Sequence, residues 1–479
     1  MKVRIVVAYE PRYRRGHGVD FVPPITGIHL AALTPQEHSV ELVHEQVRAV
    51  PDDGNADLLA LSFFSGFARS AYAHADRARE RGLPVVAGGP HVSYWVDEAL
   101  EHVDAVVIGE ADDIWPRVLE DAARGCLKRV YRGGPHSMRG LPTPRYDLLE
   151  DSFVVRHVLQ ATRGCPFSCR FCTVPDLNPG FRVRPIDDVL RDLSTAPEHA
   201  PWHERLAWFW DDNLLVKRRW AKELLGAMRG LGREWLTQAS IDITHDDELL
   251  DLMERSGCIG IFLGIESLDA VNLESVDKRQ NHVNEYARAI QKLHDRGIAV
   301  MAGFISGFDA QTEASIADTA DRLNAIGVDV PFLSIMTPFR GTPLYDDLLR
   351  SDRILRDRDW GHYNGYNVAF RPARMSPEAL LGAHRAMWRR AFSPSLVAER
   401  LARAAKLRPG AFRLALAMNG FYGAKAFMGN GPRDAPVGGK AIAHAAPDDV
   451  RPSTLRGESA RGGEGEVIPL RVSSPRRAL

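Results

Sequence analysis

The residues with the clearest chemistry lie in the stretch ATRGCPFSCRFCTV, residues 161–174, which places three of the chain's five cysteines within eight positions. Cys165, Cys169 and Cys172 are separated by three and then two residues, with Phe171 just before the last. Three sulfurs are one short of a structural zinc site, which takes four protein ligands and usually draws them from paired Cys-x-x-Cys elements. They are also one short of an ordinary electron-transfer cluster, which takes four thiolates. Cys126 and Cys258 are isolated and read as packing residues, the first after a helical segment and the second at the start of an apolar strand. Three thiolates suit a [4Fe-4S] cluster whose fourth iron stays open.

The elements around this run must hold it in place. FVVRHVLQATRG reads as a strand leading into the cysteine loop. Downstream, strand-like runs at 205–212, 234–241, 258–266, 297–305 and 328–336 alternate with helical stretches such as DDELLDLMERSG. With the strand before the cysteines these make six β/α units, too few for a closed eight-unit barrel. An open (βα)6 barrel is expected, with its site at the carboxyl ends of the strands.

The motif in this setting closely resembles the radical S-adenosylmethionine superfamily. The resemblance implies that the amino and carboxylate groups of S-adenosylmethionine chelate the open iron. An electron from the reduced cluster then breaks the C5′ to sulfur bond and gives a 5′-deoxyadenosyl radical. It also implies roles at successive strand ends. Asp211, Asp212 and Asn213, in FWDDN, match the polar groups that bind the methionyl amine. Glu266 and Ser267, in GIES, match groups that contact the ribose hydroxyls and the carboxylate. Gln238 and Ser240 end the third strand, and the glycines of GFISGFD (303–309) would let backbone approach the adenine. Taken alone, Asp-Asp-Asn is also helix-capping chemistry, and Glu266 could pair with Arg279.

Residues 1–140 show another alternation. Apolar runs at 3–9, 39–44, 57–64, 83–89 and 104–110 are separated by helix-compatible segments, which argues for a doubly wound parallel sheet. Ligands in such folds bind beyond the carboxyl ends of the strands, where Ser62, Gly66, Gly88, Gly89, His91 and Gly109 fall. PPITGIHLAALTPQEHSVELVHE, VVAGGPHVSYWVDEAL and DAVVIGEADDIWPRVLED resemble the cobalamin-binding domain fused to many radical S-adenosylmethionine enzymes. The Asp-x-His-x-x-Gly run that supplies a lower axial histidine in other cobalamin proteins is missing, so the resemblance implies cobalamin without a histidine ligand. The packing alternative is a Rossmann-like domain that only supports its neighbour.

The resulting fold class is α/β, with a Rossmann-like cobalamin-binding domain (1–140), a linker (141–155), a partial radical barrel (156–340), a C-terminal helical or lid region (341–428) and a disordered tail (429–479). TPFRGTPLYDDLLR (337–350) resembles the end of the radical core in cobalamin-linked members. The following run holds His362, Tyr363, Asn364, Tyr366 and Asn367, which are substrate-contact candidates or the packed residues of a connector. The helices beyond read as a small cap. From Gly429 on, Gly, Pro, Ala and Arg dominate.

A chain of 479 residues with 45% hydrophobic and 26% charged residues is long enough for two or three domains. Its net charge of −1 carries no polycationic signal for nucleic acid. No run of about 20 apolar residues suggests a membrane span, and no signal peptide opens the chain. Few cysteines in an odd number fit a reducing cytoplasm. The function implied is cobalamin-dependent radical methylation of an unactivated carbon in a small molecule, a natural product or lipid, served by an external low-potential donor of flavodoxin or ferredoxin type. Cyclisation or oxidation by the same architecture is the alternative. A methylthiotransferase or an auxiliary-cluster enzyme would need more cysteines. A plain metal-binding or electron-transfer protein would not cleave S-adenosylmethionine.

Overall fold

The computed structural model describes residues 1–11, 17–195, 201–427, 442 and 444. Its apolar, β-branched runs form two six-stranded sheets in which every pairing is parallel. The first contains β1 (Lys2–Val7), β2 (Ser39–His44), β3 (Leu58–Ser62), β4 (Val85–Gly88), β5 (Ala105–Gly109) and β6 (Val130–Gly133), in the order β2-β1-β3-β4-β5-β6. Its strand order reverses between β1 and β3, so a crevice opens beyond their carboxyl ends. The edge strand β6 escaped the sequence reading because Val130–Gly133 is four residues of mixed polarity. Only central parallel strands need the continuous apolar run that marks a strand in sequence.

The second sheet contains β7 (His157–Leu159), β10 (Ala207–Phe209), β11 (Trp235–Ala239), β12 (Cys258–Glu266), β13 (Ala299–Ser306) and β14 (Val330–Ile335). Its order β14-β13-β12-β11-β10-β7 is that of an open six-stranded barrel. Between β7 and β10 a short hairpin, β8 (Thr162–Arg163) with β9 (Arg182–Val183), carries the cysteine loop.

Residues on the barrel strands alternate between two cores. Phe209, Trp235, Ile261, Leu263, Val300 and Ala302 pack with Leu224, Leu249 and Ile290 of the surrounding helices. The opposite face, with Trp208, Leu236, Ile259, Met301 and Val330, packs on Ala411, Leu414 and Met418 of the C-terminal helix Pro409–Phe427. That helix of the C-terminal helical region therefore packs on the inner face of the barrel. Gly260 makes room for it, since a Cβ there would run into the Leu414 side chain. The expected tail from 429 lies outside the described residues except at two positions. Ile442 is buried in the main core, and His444 bonds Tyr345, so neither is a free tail residue.

Candidate active site

The cysteine run is a loop because its two ends are pinned. Gly164, at φ +86°, faces the carbonyls of Asn178 and Gly180 so closely that no Cβ fits. Cys169 is buried, and Cys165 and Cys172 are half-buried. Burial pushes all three thiols up, Cys172 to about 12, and neighbouring sulfurs add to the effect at Cys165 and Cys172. Among the described residues no three His, Cys, Asp or Glu side chains converge on the volume of a single ion.

The strand end at FWDDN supports this loop, and only its last residue reaches a sulfur. Asp211 is fully buried and turned backward, accepting hydrogen bonds from the Ala161 amide (3.0 Å) and from the Thr162 amide and hydroxyl. Asp212 accepts from the Gly164 amide at 3.0 Å and from Asn178 Nδ2 at 3.3 Å. Burial raises both carboxyls, Asp211 to about 7. Of the two aspartates expected to meet an ammonium, Asp211 spends its engaged oxygen on the chain leading into the loop. Asn213 donates to Ser240 Oγ at 3.1 Å and lies 3.8 Å from Cys165 Sγ. Ser240 donates in turn to Asp242, and Gln238 stands half-buried on β11 opposite Phe262.

At the end of β12 the pairing with β13 slips by one residue and Glu266 takes a left-handed φ of +61°. A non-glycine residue there is strained, a state that persists only where the surroundings impose it. Its side chain is held there by Lys278, whose ammonium donates to Glu266 Oε1 at 2.8 Å. Gly264 lies beneath this pair, where a Cβ would strike both partners. Arg279, the partner considered from sequence, instead bonds Asp277 at 3.2 Å. Ser267 is buried, and its hydroxyl accepts from Asn272 and from the Asp269 amide, bonds that close the turn after β12. Gly303 gives space to Phe262, and Gly307 to Phe370 and Leu380.

On the first sheet, Ser62, Gly88, Gly89 and Gly109 lie at or just beyond the carboxyl ends of β3, β4 and β5. Gly89 at φ +99° and Gly109 at φ +78° turn the chain there. Gly66 is covered by Tyr363 and Asn364, 3.0 Å from where its Cβ would stand. His91 is fully buried, with Nε2 on Tyr72 (2.9 Å) and Nδ1 on Ser65 (3.0 Å), so it is a satisfied core histidine. The loop expected to meet substrate is anchored on this domain by Trp360 to Glu98 (2.7 Å) and Arg69 to Asp359 (3.3 Å). Its His362 and Tyr363 are buried, Asn364 and Asn367 bond each other at 3.2 Å, and Tyr366 is exposed.

Sequence reasoning missed Arg163, Arg182, Lys278 and Gln280. Arg163, two residues before the first cysteine, donates to Glu110 (2.7 Å) and to both oxygens of Asp112 (2.6 and 3.0 Å). Arg182 reaches Glu110 from the other hairpin strand at 2.9 Å. The GEADD run after β5 is thereby tied to the cysteine loop; its acidity was the available signal. Lys278 and Gln280, the latter 3.9 Å from Cys169 Sγ, lie in an irregular loop with no pattern to mark them.

The superfamily model for radical SAM proteins matches residues 159–323. A bacteriochlorophyllide d C-12(1)-methyltransferase of Chlorobaculum tepidum is 31% identical over 387 residues, covering 79% of this chain and 84% of the relative. The hopanoid C-2 methylase of Rhodopseudomonas palustris is 27% identical over 74% of this chain and 72% of its own. Among solved structures, the cobalamin-dependent S-adenosylmethionine radical enzyme OxsB superposes with a TM-score of 0.64 at 16% identity, over 89% of this chain and 72% of that one, which shows a shared fold. On its cysteine loop, its open six-stranded barrel and its identity to the first of these relatives, the chain belongs to the radical SAM superfamily of enzymes.

Proposed function

We propose that the protein is a cobalamin-dependent radical SAM C-methyltransferase that methylates an unactivated carbon of a small molecule, a natural product or lipid. The observation that carries this reading is the buried tie from Glu110 and Asp112 to Arg163, which sets the carboxyl edge of the first sheet directly against the cysteine loop. The methyltransferase relatives support the same reaction class.

The donor set fits a three-cysteine cluster. Of the other two cysteines, Cys126 is exposed and Cys258 begins β12, roughly 25 Å along that strand from Glu266. Cys165, Cys169 and Cys172 would hold the cluster, and Ser62, Gly88, Gly89 and Gly109 would offer small side chains and backbone groups to cobalamin. When bound, the cluster supplies the electron that cleaves S-adenosylmethionine, and cobalamin supplies the transferable methyl group. The chain's own part is to position and to exclude water. Asn213 and Gln280 point N–H groups at two sulfurs, while Lys278 and Glu266 hold a buried charge pair beside them. Phe262, Phe332 and Tyr422 form an aromatic floor on the inner face of the barrel. The reading requires an external low-potential donor, of flavodoxin or ferredoxin type, and a reducing compartment such as the cytoplasm.

The test is anaerobic: reconstituted protein, S-adenosylmethionine and a low-potential reductant, with and without cobalamin, with products identified by mass spectrometry. Formation of 5′-deoxyadenosine together with cobalamin-dependent S-adenosylhomocysteine supports methyl transfer. Formation of 5′-deoxyadenosine alone with a converted substrate would favour cyclisation or oxidation instead.

A further inference from the structure

Two of the three sulfurs in the cysteine loop meet a side-chain N–H, and the donors come from distant parts of the chain. Asn213 Nδ2 lies 3.8 Å from Cys165 Sγ, and Gln280 Nε2 lies 3.9 Å from Cys169 Sγ. Asn213 is locked in the wall by a second pair of bonds to Ser240, through the Ser240 hydroxyl at 3.1 Å and its amide at 3.3 Å. Gln280 sits on the irregular loop after Lys278 and is half-buried. The nearest cation, Lys278, is committed to Glu266 at 2.8 Å, so much of its charge is already balanced. Lys278 and Gln280 both favour negative charge on the buried sulfur of Cys169, Lys278 more strongly, and Gln280 is the one that can be exchanged without breaking the pair with Glu266.

We infer that Gln280 sets the reduction potential of the cluster at Cys165, Cys169 and Cys172, an inference that rests on the cluster reading above. Reduction adds one electron, drawn from the external low-potential donor, to a group already carrying three thiolates; no bond to Gln280 forms or breaks. An N–H aimed at a thiolate sulfur stabilises the more negative, reduced form, and such hydrogen bonds are among the features that set iron–sulfur potentials. Removing the donor makes reduction harder. Replacing it by a carboxylate makes it harder still, and replacing it by an ammonium makes it easier.

The experiment is a dye-mediated dithionite titration of the full-length protein, reconstituted anaerobically and followed by electron paramagnetic resonance without S-adenosylmethionine. Wild type is compared with Gln280→Met, Gln280→Glu and Gln280→Lys, each with its iron counted. At the wild-type midpoint the ratio of reduced to oxidised cluster is expected to fall about fivefold in Gln280→Met, the effect of one hydrogen bond. It should fall further in Gln280→Glu and rise in Gln280→Lys. Should Gln280→Met fail to load iron, the Glu and Lys variants carry the same comparison through their opposite signs. Unmoved midpoints overturn the inference, as does a shift in one direction whatever the charge, which is what mere loosening of the loop would give. A wild-type protein that takes up no cluster would overturn the cluster reading itself, and is told apart by its iron content.

Discussion

Asp211 gathers three donors on one carboxylate oxygen, and the other, Oδ2, is buried and meets no hydrogen-bond partner among the described residues. Burial outweighs those donors and raises the carboxyl to about 7, so the folded protein holds a proton there that the unfolded chain releases near pH 4. Between these values the native state binds more protons, and stability contributed by this group declines as pH rises through the window, levelling off above 7. Asp211→Asn keeps the accepting oxygen and removes the titration. Thermal unfolding across pH 5 to 8 should show the variant gaining on wild type by a few degrees toward the alkaline end, with affinity for S-adenosylmethionine unchanged. A variant that instead loses that affinity would restore Asp211 to the amine site. The cysteine loop was legible from the spacing of its three sulfurs, and the FWDDN run from its place at a strand end. Side-chain direction was not: Asp211, Ser267 and His91 have the right types at the right strand ends, yet each turns its polar atoms into the protein.

At the scale of elements, the hairpin β8–β9 joins the two sheets through charge. Arg163, Glu110 and Asp112 are all largely buried, and His29 adds a bond to Asp112 at 2.8 Å. Breaking such a pair strands a buried charge, which costs about 3–5 kcal/mol. Asp112→Ala should therefore lower the urea midpoint markedly, while Arg163→Lys keeps the charge but loses the bidentate fork. Its expected signature is in the products, with 5′-deoxyadenosine formation retained and S-adenosylhomocysteine formation reduced at least fivefold. Equal loss of both products would mean that the clamp only supports the fold. The strand alternation that builds both sheets was readable because buried parallel strands are nearly continuous apolar runs. The clamp was not, since an acidic run and an arginine distant in sequence carry no mark of their pairing.

For the whole molecule, the C-terminal helix decides how deep the barrel can be. Its sequence, PGAFRLALAMNGFYGAKAF, is apolar on every side, so periodicity could announce burial but not the partner. The helix fills the inner face with Leu414 and Met418, and Arg400 holds it from the preceding helix through Asn419 at 3.0 Å. Leu414→Ala should destabilise the protein by about 3 kcal/mol, as large-to-small changes in packed cores do, and chemical denaturation will read it. A change below about 1 kcal/mol would mean that the helix packs loosely on the barrel.

The most direct test of the central claim is the electron paramagnetic resonance spectrum of the reduced, iron-reconstituted protein before and after S-adenosylmethionine is added, with Cys169→Ala as the control. The account predicts a [4Fe-4S] signal that changes on addition, because the ligand takes the open iron, and no such signal in the variant. A spectrum indifferent to S-adenosylmethionine, or a wild-type chain that binds zinc and no iron, would contradict it.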